Sequence, residues 1–217
     1  AISILSASCT DSFFDLEPAS SVVTGKVYKT AGDFNVAVVG CYAKLQSQVH
    51  FYTECCEYRS DNLNLSAPTS GEQDRYDIDH FNEKPSNGIL NNYWANFNNN
   101  VYRCNLVLDR IDGASFDEIL KRQYKAEAMF IRALTYFNMY RIWGGVPATR
   151  TVVTASEALQ VRRSTDEEMF SLIAGDLKQI VDEGMLPSSY TGDNIGRATS
   201  GAAKALLGKV YLTFHKW

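Results

Sequence analysis

Residues 125–147 read KAEAMFIRALTYFNMYRIWGGVP. Between Lys125 and Trp143 there is no Gly or Pro, so nothing interrupts a helix. Its apolar side chains do not keep to one stripe. Ala126, Phe130, Ala133, Phe137 and Tyr140 recur at steps of three and four, while Ile131 and Leu134 fall on the adjoining face. A helix that is apolar on two sides has to be covered on two sides. Lys121, Lys125 and Arg132 form the remaining polar stripe. Gly144-Gly145 and then Pro147 end the helix.

Upstream, Trp94, Phe97, Val101, Cys104, Leu108 and Ile111 alternate steps of three and four, which predicts a helix with a single apolar stripe. Asn91 or Asn92 would cap it, and Gly113 would end it in the left-handed conformation. The many asparagines from Asn91 to Asn105 are poor helix formers, so this helix depends on packing. Ser115-Phe116-Asp117-Glu118 has the form of a capping box opening the long helix. Further upstream, Phe34, Val38, Cys41, Tyr42 and Leu45 predict a first helix over about 30–49, with Thr30 as its N-cap. Residues 57–90 hold Pro, Gly, Asn, Asp and Ser together with Tyr76, His80 and Phe81, and read as an ordered surface excursion.

Downstream, 146–163 is rich in Thr and Val and reads as extended, with room for a small hairpin. Ser164-Thr165-Asp166-Glu167 is a second capping box, opening a helix that runs to about Glu183 and stops at Gly184. After a turn-rich stretch, a last helix starts near Thr199-Ser200 and continues to Trp217. Gly201, Ala202, Ala203, Ala205 and Gly208 would let it approach a neighbour closely. The pattern is all-α: helical pairs that cannot bury their own faces and must stack. It is not a regular tetratricopeptide repeat, since only Ala133-x-x-x-Phe137 fits that pattern.

The chain has 217 residues, a net charge of −4 and 45% apolar residues. It therefore allows one or two globular domains and carries no basic footprint for nucleic acid. No apolar run approaches the ~20 residues that span a bilayer. Arg162-Arg163 reads as a solvated turn. Among the five cysteines and three histidines no zinc spacing occurs. Cys41 and Cys104 read as small core residues, and Cys55-Cys56 are adjacent. No GxSxG, HExxH or phosphate loop is present, so an enzyme has no motif to rest on. Asp74-Arg75-Tyr76-Asp77-Ile78-Asp79-His80 could hold Ca²⁺ but lacks the EF-hand order. The expected cofactor set is empty.

The N-terminus, Ala1-Ile2-Ser3-Ile4-Leu5-Ser6-Ala7-Ser8-Cys9, has the form of the tail of a secretory signal. Leu-Ser-Ala-Ser-Cys is a loose lipobox, with Leu four residues before Cys9 rather than three. On the residues alone, Cys9 is either lipid-bearing or a plain buried cysteine. A polar-acidic stretch follows, containing Asp15-Leu16-Glu17-Pro18.

These features together resemble the SusD-like (RagB/SusD) family of Bacteroidetes-type outer-membrane glycan-binding lipoproteins. The resemblance rests on the stretch after Cys9, on the 94–111 helix with Tyr102-Arg103-Cys104-Asn105, on 126–147 with its Arg-Ile-Trp-Gly-Gly-Val-Pro end, and on 196–212. It implies a tetratricopeptide-like α-α superhelix with long irregular loops. It also implies a signal remnant over 1–9 ending at the lipid-attachment Cys9, a tether over 10–29, and the N-terminal part of a helical domain over 30–217. Members are not enzymes. They sit on a TonB-dependent β-barrel transporter (a SusC-like partner) and capture oligosaccharide on the loop-rich face.

By that analogy the 57–90 excursion would touch glycan. Tyr76 and Phe81 could offer flat faces to sugar C–H groups, and Arg59, Asp61, Asn62, Asp77, Asp79 and Asn82 could serve the hydroxyls. The plainer alternative is that Tyr76 and Phe81 pin the loop to the core. No Trp stands in this excursion, whereas starch-binding members use Trp platforms. Trp94 and Trp143 are expected to pack in the core and at the helix end. A helical-repeat adaptor binding a protein or peptide, with no glycan role, is the competing function.

Overall fold

The computed structural model describes residues 27–67 and 70–216. The signal remnant, Cys9 and most of the tether lie outside them. Among the described residues there is no β-strand. Helix α1 (Ala31–Leu45) opens on a reciprocal capping box: the Thr30 hydroxyl accepts from Asp33 N, and the Asp33 carboxylate accepts from Thr30 N. A 3₁₀ turn at Gln46–Gln48 and a π-helical turn at Thr53–Glu57 follow, so the first α-helix is shorter than expected. The 57–90 excursion is partly helical, with α2 at Gln73–Asp79.

Helix α3 (Gly88–Ile111) is capped by Asn87, whose Oδ1 accepts from Leu90 N at 3.1 Å. Asn91 and Asn92 thus lie inside the helix, and Asn91 reaches back to the Pro85 carbonyl at 3.2 Å. Gly113 does not take the left-handed conformation, and the C-cap is Asp112. Helix α4 (Glu118–Trp143) begins two residues later than a Ser115 cap would place it. Asp117 is the cap and accepts from Leu120 N at 2.9 Å. Phe116 is needed elsewhere: its ring packs 5.4 Å from that of Phe34 on α1.

The stop of α4 is explained residue by residue. Gly144 sits at φ 67°, ψ −141°, a region essentially reserved for glycine. Gly145 has no room for a side chain, since a Cβ there would lie 1.9 Å from the Ser164 carbonyl oxygen. Ser164 is tied in place by donating its N–H to Val146 O at 3.0 Å. Ser164 is therefore occupied, and the capping box of α6 (Asp166–Asp182) moves one residue on, to Thr165 and Glu168. Arg163 is not a merely solvated residue, because it donates to the Trp143 and Gly145 carbonyls at the α4 terminus. Between α4 and α6 the segment read as extended forms no hairpin. The segment contains only a short helix, α5 (Ala155–Ala158).

The α6 helix stops at Gly184, which takes φ 61°. Helix α7 (Ser200–Thr213) is capped by Thr199. It ends before Trp217: His215 takes φ 54° and Lys216 N donates back to Tyr211 O at 3.0 Å.

The two apolar sides of α4 face two separate cores. Ala126, Met129, Ala133, Tyr136 and Phe137 join α3, α6 and α7 in the larger one. Tyr124, Ala128 and Ile131 join Phe34, Val38 and Cys41 of α1 with Cys104, Val107 and Ile111 of α3 in the smaller. This is the two-sided covering that residues 125–147 demand.

Arg132 departs from the expected polar stripe. It is 5% exposed and lies inside the protein, where Nε and Nη2 grip the Asp176 carboxylate of α6 at 2.8 and 2.9 Å. Lys121 and Lys125 are half-buried, with their ammonium groups paired to the exposed Glu118 and Asp112.

Candidate functional site

Two concave surfaces are candidates. The first is an open depression of about 330 Å³ whose lining includes Tyr58, Arg59, Asp61, Asp79, His80 and Phe81. Short-range polar contacts build it. The Asp79 carboxylate accepts from Leu65 N at 3.0 Å and lies 3.2 Å from His80 Nδ1. Arg59 pairs with Glu83 and holds its guanidinium 5.8 Å above the Phe81 ring. Phe81 is held at φ 53° and is 68% exposed.

Four of the residues singled out in the sequence, Arg59, Asp61, Asp79 and Phe81, therefore meet in one place. Asn62 and Tyr76 do not line it. Asn62 turns back to Ser60 and Glu57, at 3.2 and 3.5 Å, while Tyr76 stacks on His80 with ring centroids 4.0 Å apart. Asp77 is buried and accepts from Gln73 Nε2 at 2.7 Å. Asn82 is exposed, and its N–H donates to Asp77 O at 2.8 Å. Asp74 accepts from Gly88 N at 2.9 Å. The acidic 74–80 run is thus used to fold the loop onto the start of α3. Among the described residues no group of three or more His, Cys, Asp or Glu side chains is arranged to hold a metal ion.

The second surface is a cleft of about 370 Å³ between α3 and the 147–161 segment. Its α3 side carries Trp94, Asn98, Val101, Tyr102 and Asn105, and its other wall carries Pro147, Thr149, Thr151 and Val153. Trp94 is not the core residue expected. It is 37% exposed, and its ring stands edge-on to Trp143 at 5.2 Å and 88°. Trp143 in turn packs on the buried Phe97 at 6.0 Å, which joins the Trp94 ring to the larger core. Tyr102 is 46% exposed. Two aromatic rings thus meet solvent beside amide and hydroxyl groups, with no ionisable Asp, Glu, Lys, Arg or His lining the cleft.

The far wall has no regular secondary structure over 147–153 and is held by side chains. Asn105 Nδ2 donates to Thr149 Oγ1 at 3.2 Å and to Thr151 O at 2.9 Å. The Tyr136 hydroxyl accepts from Thr149 N at 2.8 Å and donates to Thr149 O at 3.0 Å. Asp109 accepts from Val152 N at 2.7 Å. Arg132 Nη1 donates to Arg150 O at 2.7 Å and to Asn105 Oδ1 at 2.8 Å. Burial works against the Arg132 charge, but the Asp176 carboxylate outweighs it and the pKa is raised. Burial likewise raises that of Tyr136.

The sequence did hold a signal for this cleft. Trp94, Asn98 and Tyr102 recur at four-residue steps, a second stripe beside the apolar one. A tryptophan at the head of an apolar stripe is read as core, and that masked it.

A family model for SusD-like proteins, described as starch-binding and associating with the outer membrane, matches residues 12–212. The SusD-like protein P38 of Formosa agariphila is 30% identical over 174 residues, which is 78% of this chain and 33% of that protein. A SusD-like protein of Bacteroides fragilis has a solved structure that aligns with TM-score 0.70 at 26% identity, over 88% of this chain and 36% of that one. A laminarin-binding SusD-like protein aligns with TM-score 0.74 at 26% identity, over 85% and 40%. The chain thus spans about a third of the length of the first of these relatives. Matching the family model over nearly all of its length, with the helical architecture of the solved members, the chain belongs to the SusD-like family.

Proposed function

We propose that this chain is part of a non-catalytic cell-surface protein that captures oligosaccharide and delivers it to a TonB-dependent, SusC-like β-barrel transporter in the outer membrane. Lipid attachment at Cys9 and a tether over 10–29 belong to this reading. The observation that carries it is the α3 cleft. Sugars present apolar C–H faces that lie on aromatic rings and hydroxyls that need donors and acceptors. Trp94 and Tyr102 offer the rings, and Asn98, Thr149 and Thr151 offer the polar groups. A ready-formed surface of this kind lowers the ordering cost of binding.

The depression around Phe81 is a second contact in the same proposal. Phe81 supplies the exposed face, with Arg59, Asp61 and Asp79 around it and Asn62 and Tyr76 just outside. Arg59 and Asp79 are paired within the loop, to Glu83 and Leu65 N, and the depression offers one exposed ring, Phe81, where the cleft offers two. The name of the laminarin-binding relative makes β-glucan a natural probe, and the family description makes starch another.

The test has two arms. Full-length protein run through native gels containing amylopectin or laminarin should be retarded by at least one of them. Its gentle extraction from detergent-solubilised outer membranes should bring down a β-barrel transporter in stoichiometric amount. Unretarded migration together with a soluble, barrel-free protein would contradict the proposal and favour a helical adaptor.

A further inference from the structure

The cleft wall is shaped from beneath, and of the groups that hold it Arg132, Tyr136 and Asp176 do not line the cleft. Residues 149–152 are hydrogen-bonded to side chains of α3 and α4, and Arg132 links two of these tethers, its own bond to Arg150 O and that of Asn105. Its guanidinium has a fixed fork of five N–H groups. Nε and Nη2 are committed to Asp176, which leaves Nη1 aimed at the Arg150 carbonyl and the Asn105 amide oxygen. The second contact fixes which way the Asn105 amide faces, so that its NH₂ must point at Thr149 and Thr151. Tyr136 closes the frame by holding both the N–H and the carbonyl of Thr149. A lysine at 132 could neutralise Asp176 but could not make the forked contacts.

We propose that Arg132 and Tyr136, held by Asp176, are positioning residues for saccharide binding: they set the distance between the 149–152 wall and the Trp94–Tyr102 face. The inference rests on the reading of the cleft as the glycan site. Placement of the wall matters because a loosened wall has to be reordered when the ligand enters.

The test uses full-length protein with laminarin and amylopectin as probes. Arg132→Lys and Tyr136→Phe are compared with Glu127→Gln, a buried polar change on the same helix whose partners, Arg197, Gln123 and Tyr190, lie away from the cleft. Two quantities are read at a temperature where every variant is folded: amide exchange over 149–153 without ligand, and the dissociation constant. Arg132→Lys and Tyr136→Phe should speed exchange at 149–153 and weaken binding about five- to tenfold, the effect of one or two lost hydrogen bonds. Glu127→Gln should lower the melting temperature and leave both readouts unchanged. Tyr136→Phe removes one hydroxyl and keeps the buried ring, so it keeps the test alive if Arg132→Lys fails to fold.

Unchanged exchange and affinity in Tyr136→Phe, or affinity losses that follow melting temperature equally in all three variants, would overturn the inference. A Trp94→Ala control separates the two levels. If it loses binding while the frame variants do not, only the positioning role falls. If it too binds as wild type, or if neither glucan binds the wild-type protein, the cleft reading falls and takes this inference with it.

Discussion

Gly144 and Gly145 show how much one atom decides at the end of α4. The first needs a backbone conformation that side chains forbid, and the second abuts the Ser164 carbonyl with no space for a methyl group. Gly145→Ala is therefore expected to cost about 2–4 kcal/mol, and Gly144→Ala about 1–3 kcal/mol, read from chemical denaturation. Equal stability of wild type and Gly145→Ala would contradict the packing described. The sequence made the stop legible, because two glycines and a proline after a helix are strong punctuation. It could not tell why two glycines are needed, since the atom that excludes a side chain comes from Ser164, across a loop. Trp94 and Arg132 carry the same lesson in reverse. Periodicity assigns a side to each residue but does not say that a tryptophan can face both core and solvent, or that an arginine can be buried when a carboxylate from another helix meets it.

Among the elements, the helix starts at Thr30 and Thr199 fall where the sequence puts them, while two others differ in register. Ser115 and Ser164 satisfy the capping-box pattern, yet Asp117 and Thr165 do the capping, because Phe116 is drawn into the α1 interface and Ser164 is tied to Val146. Thr165→Ala should therefore destabilise α6 by about 1 kcal/mol, whereas Ser164→Ala should leave that cap intact. Amide exchange at the first turn of α6 distinguishes the two.

The same cap responds to acid. The hydrogen bonds of Arg162 and then of Thr165 N hold the Glu168 carboxyl down at about 2, below its ordinary value of 4.5. A carboxylate depressed in the folded state stabilises it above the unfolded pKa, and that contribution is lost as the pH falls from 4.5 toward 2. Side-chain titration by NMR should find Glu168 as the late-titrating carboxylate of this turn, and Arg162→Gln should move its midpoint up toward 4.5. The 57–90 and 146–163 segments were less legible as elements. Helices as short as α2 and α5 leave no periodic signal, and the contacts that order their segments come from the 53–57 turn, α3 and α4.

Across the whole molecule, α4 is the shared wall of two cores, and buried ion pairs tie it to the rest. Arg132 joins it to α6, and Glu127, fully buried, joins it through Arg197 at 3.0 Å to the connection before α7. Arg197 also reaches Asn35 on α1, and the Tyr42 hydroxyl accepts from Ala198 N at 2.8 Å. Removing one partner leaves an uncompensated charge inside, so Arg197→Met should cost about 3–5 kcal/mol by denaturant unfolding. A loss below about 1 kcal/mol, the range of exposed pairs, would contradict the burial of Glu127. The stacked all-α plan was legible because a helix apolar on two sides admits few solutions. The ion pairs were not, because they join residues distant in sequence, such as Glu127 with Arg197 and Arg132 with Asp176.

The central claim is that saccharide lies on the aromatic face of α3. The most direct measurement is titration calorimetry of full-length wild type, Trp94→Ala and Phe81→Ala with laminarin and amylopectin. The account predicts that Trp94→Ala weakens binding by about tenfold or more, ~1.4 kcal/mol, with a smaller loss for Phe81→Ala and no change in fold by circular dichroism. Wild-type affinity in Trp94→Ala would contradict it.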